Sequence, residues 1–154
     1  MNIDIEDFRD KGYCHIPKMF SWRADGLLDS AAEVFRNGIN RVGGCGYSLL
    51  DIEHGMRKLF NEDFETFVHC GKTCQNIWEM YETASDRQVL NLLHGIGLAV
   101  PTISTRPVMF FNHPDLAKKE VYYKTPPHQD WRSIQGSLNS VVLWIPLADV
   151  PMDL

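Results

Sequence analysis

Apolar residues recur along this chain in two different rhythms, and the change falls near residue 97. Before it the spacing is helical. Asp4 stands where an N-cap belongs, Ile5 and Phe8 follow on one face, and Gly12 offers a stop, so a short helix is expected there. Residues 13–17 then read as a short strand. Residues 21–39 carry Leu27, Leu28, Ala31, Ala32, Val34 and Phe35 at the recurrence of an amphipathic helix, weakened at Gly26. Gly43, Gly44 and Gly46 mark a loop over residues 41–48; their spacing matches neither a dinucleotide fingerprint nor a P-loop, so the loop reads as a plain connection. Phe64, Phe67, Val68, Ile77, Trp78 and Tyr81 predict another core-facing helix. Ser85-Asp86-Arg87-Gln88 has the form of a capping box. The helix it opens would turn Val89, Leu92, Leu93 and Ile96 inward and end at Gly97. His94, on the same helix, reads as a surface or boundary histidine.

After residue 97 the pattern becomes strand-like. Residues 102–111 are rich in β-branched and aromatic side chains, interrupted by Pro107. Residues 112–119 form a polar loop, and Val121-Tyr122-Tyr123 is a candidate strand. Thr125-Pro126-Pro127 is stiff and extended, because proline disfavours the helical region at the residue before it. Val141-Val142-Leu143-Trp144-Ile145 is an unbroken apolar run, which predicts a strand buried on both faces. Helices first and strands later define an α+β class, a helix-decorated β architecture in one domain over 1–154. Residues 1–97 are expected to be mainly helical, and 98–154 to hold the first core strands.

Composition narrows the function. Of the 154 residues, 44% are hydrophobic and 23% charged, the balance of a globular domain and not of a disordered one. A net charge of −5 with no basic run argues against nucleic acid or an anionic membrane as partner. The acidic start Met1-Asn2-Ile3-Asp4-Ile5-Glu6-Asp7 has no secretory pattern, and no apolar run approaches the ~20 residues of a membrane span, so a cytoplasmic location is expected. The four cysteines, Cys14, Cys45, Cys70 and Cys74, are then expected to be reduced. Cys70 and Cys74 fall on one helical face with His69 beside them. The spacing is not that of a zinc finger, and buried small residues are the preferred reading.

The chemistry concentrates at His128-Gln129-Asp130. In an extended chain residues i and i+2 share a face, so an imidazole and a carboxylate would aim at one point. Iron(II) oxygenases use such a pair with a second histidine on one triangular face, leaving the opposite face open. Taken alone the triplet also fits a plainer role, with His128 donating to a backbone carbonyl and Asp130 capping a turn. Trp131 and Arg132 follow at once and would put an aromatic and a cation at the mouth of the site. A zinc hydrolase would bring further histidines nearby, and this segment has none.

The stretch Pro126-Pro127-His128-Gln129-Asp130-Trp131, then Gly136-Ser137-Leu138-Asn139-Ser140, then Trp144-Ile145-Pro146-Leu147, resembles the phytanoyl-CoA dioxygenase family; Phe8-Arg9-Asp10-Lys11-Gly12-Tyr13 resembles the family's opening. The resemblance implies a double-stranded β-helix (jelly-roll) core, here partial and packed with the N-terminal helices. It further implies an iron(II)- and 2-oxoglutarate-dependent oxygenase that hydroxylates a small organic substrate. His128 and Asp130 correspond to two metal ligands, Gln129 and Trp144 to cosubstrate positions, and Trp131 and Arg132 to substrate positions; no catalytic residue beyond the metal ligands is implied. The family's third ligand is a histidine further along, and no histidine follows His128. The remainder of the barrel is therefore expected from sequence beyond Leu154 or from a second polypeptide, a degenerate chain being the other alternative. Outside enzymology, the same residues fit a non-catalytic jelly-roll-like binding module with a vestigial metal pair. Which substrate is oxidised does not follow from the family, because fold does not fix function.

Overall fold

Six α-helices make up the regular structure of the computed structural model, which describes residues 4–43, 52–111, 137 and 139–147. Helix α1 (Ile5–Lys11) starts at Asp4, whose carboxylate accepts from the Asp7 backbone N–H at 3.0 Å. It ends at Gly12, which takes a left-handed φ of 75° that a side chain would resist. Helix α2 (Ser21–Arg41) runs through Gly26 without a break. It buries Leu27, Ala31, Ala32, Phe35, Gly38 and Ile39 along one stripe, whereas Leu28, read as part of the apolar face, is exposed.

Helix α3 (Ile52–Glu62) is absent from the expectations above, although Ile52, Met56, Leu59 and Phe60 have its spacing. Its polar outer face is bound by Arg57 to Glu53 at 2.7 Å, one turn apart. Helix α4 (Phe64–Cys74) follows after a single residue. Asp63 makes that sharp junction possible: its carboxylate accepts from the Thr66 backbone N–H at 3.1 Å and from the Thr66 hydroxyl at 2.7 Å. These contacts, led by the backbone N–H, hold the Asp63 carboxyl below its ordinary pKa.

The single helix expected across Phe64, Phe67, Val68, Ile77, Trp78 and Tyr81 is two helices. Chain direction changes after Cys74, and α5 (Trp78–Ala84) begins with Ile77 in an extended conformation. Phe64, Val68 and Ile77 still pack against the core, whereas Trp78 is 74% exposed and Tyr81 also faces outward. A 3.6-residue period cannot be carried across a bend, so the second half of the apolar series lands on the wrong face. Helix α6 (Arg87–Gly95) starts one residue later than the capping box implies. Asp86, not Ser85, is its N-cap, accepting from the Gln88 backbone N–H at 2.8 Å. The Ser85 hydroxyl instead donates to the Tyr81 carbonyl at 2.7 Å and closes the end of α5. Val89 and Leu92 are buried as expected, and Gly97 has a φ of 98° just past the helix end.

The core sits where α2 crosses α3 and α4, with α5 closing the remaining side. Phe35 is fully buried at its centre, 5.6 Å from the Phe67 ring and 5.2 Å from Phe111 in an edge-on arrangement. Phe60 meets both Phe64 and Phe67 edge-on at 5.4 Å. Close approach of α2 and α4 depends on Gly38. A Cβ there would lie 2.5 Å from the Cys70 sulfur, inside any tolerable contact.

No strand or sheet occurs among the described residues, which overturns the α+β class with a partial jelly-roll core; the described chain is all-α. The reasons differ by segment. Residues 13–17 have no neighbouring strand, and Tyr13 is largely exposed. Residues 98–111 contain Pro101 and Pro107, each without the N–H a ladder needs. Two of their apolar side chains serve the helices instead, Met109 buried in the core cluster and Phe111 against Phe35, while Val100, Ile103, Val108 and Phe110 are exposed. The run at 141–145 is neither a strand nor buried on both faces: Val142, Leu143 and Trp144 are exposed, and only Leu147 beyond them packs on the core. A continuous apolar run has no period, so it does not dictate a strand. The candidate strand at 121–123 lies outside the described residues.

Candidate functional site

His128, Gln129, Asp130, Trp131 and Arg132 lie outside the described residues. Trp144, the remaining sequence-derived site residue, is described; it is 72% exposed and stands on an irregular segment beyond the helical core. Within the stretch leading to it, the Asn139 backbone N–H donates to the Ser137 hydroxyl at 3.1 Å, a local turn that needs no sheet.

The described histidines, His15, His54, His69 and His94, are all exposed. Among the described residues no three His, Cys, Asp or Glu side chains come together in a way that could hold a metal. Cys70 and Cys74 are buried core residues on α4, in keeping with the preferred sequence reading. Their thiols point back to α2, Cys70 toward the Val34 carbonyl at 3.8 Å and Cys74 toward the Ala31 carbonyl at 3.9 Å. Burial, with the neighbouring Cys70 adding to it, pushes the Cys74 thiol up to about 12; burial likewise raises Cys70. Thiolate is the reactive form, so both are poor nucleophiles and poor metal ligands.

Two polar assemblies stand out on the helical bundle. In the first, Arg23 lies in the opening turn of α2, where a cation opposes the helix dipole. Two carboxylates from other helices compensate: Nη1 donates to Glu82 of α5 at 2.9 Å and Nη2 to Asp86 at the start of α6 at 3.1 Å. The guanidinium also covers the Trp22 ring at 4.2 Å, and the Trp78 indole N–H donates to the other Glu82 oxygen at 2.8 Å. The Gln88 backbone N–H and then Arg23 hold the Asp86 carboxyl below its ordinary pKa. The buried Nε of Arg23 has no partner. The forked guanidinium thus ties the ends of three helices, which is a structural task, and its charge is already neutralised. Sequence reasoning missed this cluster because its members are about 60 positions apart.

The second is a shallow cavity of about 270 Å³ lined by Ile39, Val42, Lys58, Leu59, Glu62 and Asp63. Its polar groups also have local work: Lys58 pairs with Glu62 at 3.9 Å, and Asp63 caps α4. Neither assembly holds a group of His, Cys, Asp and Glu that could bind a metal. No family model, curated protein or solved structure matches the chain. No described helix is long and apolar enough to cross a membrane.

Proposed function

We propose that the chain contributes part of the active site of an iron(II)- and 2-oxoglutarate-dependent oxygenase acting on a small organic substrate. One observation carries this reading: His128 and Asp130, one residue apart, directly follow the stiff pair Pro126-Pro127, and the Gly136-to-Ser140 and Trp144-to-Leu147 stretches follow in the family's order. Imidazole nitrogen and carboxylate oxygen are a donor set that iron(II) accepts, and a proline-stiffened approach favours the fixed geometry a metal site needs. In this reading His128 and Asp130 hold the metal. Gln129 and Trp144 are assigned to the cosubstrate, and Trp131 and Arg132 to the substrate. Bound iron and 2-oxoglutarate would supply the oxidising chemistry, in which oxygen converts the keto acid to succinate and carbon dioxide and hydroxylates a substrate C–H bond. The metal pair, not a sheet, is the support for this function.

Anaerobic titration of iron(II) into the full chain tests it. Iron binding is expected to weaken at least about tenfold in His128→Ala and in Asp130→Ala, because each removes one ligand from a site that needs both. Equal iron affinity in wild type and both variants would sink the proposal.

A second reading, a non-catalytic binding module with a vestigial metal pair, is favoured by the exposure of Val142, Leu143 and Trp144, apolar side chains available to a partner. It differs in outcome: at most weak iron binding, the same in wild type, His128→Ala and Asp130→Ala.

A further inference from the structure

We draw no further inference here: the strongest candidate, the exposed apolar patch of Val142, Leu143 and Trp144 beyond the helical core, carries nothing because nothing in the structure shows what covers it.

Discussion

Helix α2 and the segment at 141–147 are both rich in large apolar residues, yet they meet opposite fates. Phe35 and Ile39 of α2 are buried to within 1% of completely. Val142 and Trp144 are 65% and 72% exposed. Total hydrophobicity does not separate them, since 141–145 is the more apolar stretch. What separates them is periodicity matched to a partner. The stripe on α2 meets complementary stripes on α3 and α4, so each side chain leaves water and gains neighbours at once. The later run has one anchor, Leu147, and no second layer among the described residues.

The largest test of this contrast is a pair of truncations followed by urea unfolding. Phe35→Ala should cost about 3–5 kcal/mol, because it empties the centre of the aromatic cluster. Trp144→Ala, which removes an even larger side chain, should change stability by less than about 0.5 kcal/mol. Comparable losses from the two would erase the distinction between the regions.

Next in size is the close crossing of α2 on α4. Gly38→Ala should destabilise by about 1–3 kcal/mol through overpacking, even though alanine is the better helix former by about 1 kcal/mol. Removing the opposing sulfur with Cys70→Ala should recover part of that loss in the double variant. A loss in the double variant equal to the sum of the two single losses would mean that the steric contact at Cys70 is not the cause.

The Arg23 clamp tests how far the bundle depends on polar as well as apolar ties. Arg23→Ala should cost about 1–2 kcal/mol, since it breaks two charge-assisted hydrogen bonds and leaves Glu82 and Asp86 without their cation. Lysine should rescue little, lacking the fork that reaches both carboxylates. The pH dependence follows from Asp86 and Asp63, whose carboxyl groups titrate below their ordinary value in the folded chain. A depressed folded pKa gives stability that is fully present above the unfolded value of about 4 and is lost as pH falls through the lower, folded value. Thermal unfolding should therefore change little on this account from pH 7 to 5 and weaken below about pH 4. Asp86→Asn should reduce that acid sensitivity; an unchanged acid limb would show that Asp86 contributes nothing to it.

The smallest effect concerns reactivity and not stability. In the native chain at pH 8, Cys70 and Cys74 should resist a thiol-labelling reagent that modifies the exposed Cys14, and both should react once urea unfolds the bundle. Rapid native labelling of either α4 thiol, read by peptide mass, would show that the α2–α4 interface opens readily.

Much of the helical half was legible because its signals are local. Asp4 and Gly12 bound α1 as read, α2 starts at Ser21 as read, and Val89 and Leu92 turn inward on α6. Legibility failed where a neighbour in space decided. The bend after Cys74 put Trp78 outside, and Ser85 served the helix behind it, leaving Asp86 to cap the one ahead. The strand expectations at 13–17, 102–111 and 141–145 failed most plainly, because a strand is defined by its partner and no sequence window contains one. The candidate metal pair is legible only as a motif: His128 and Asp130 are named by order and spacing.

Sequence by itself determined the start of α2, the bounds of α1 at Asp4 and Gly12, and the presence of an imidazole and a carboxylate one residue apart behind two prolines. These are settled within a few residues, by backbone hydrogen bonding and by the stiffness of proline. Tertiary structure alone decided which apolar stripes became core, that Gly38 admits the Cys70 sulfur, that Arg23 joins three helix ends, and that Trp144 stands in solvent. Burial and charge pairing depend on distances between residues far apart in the chain, and those distances exist only once the helices have packed.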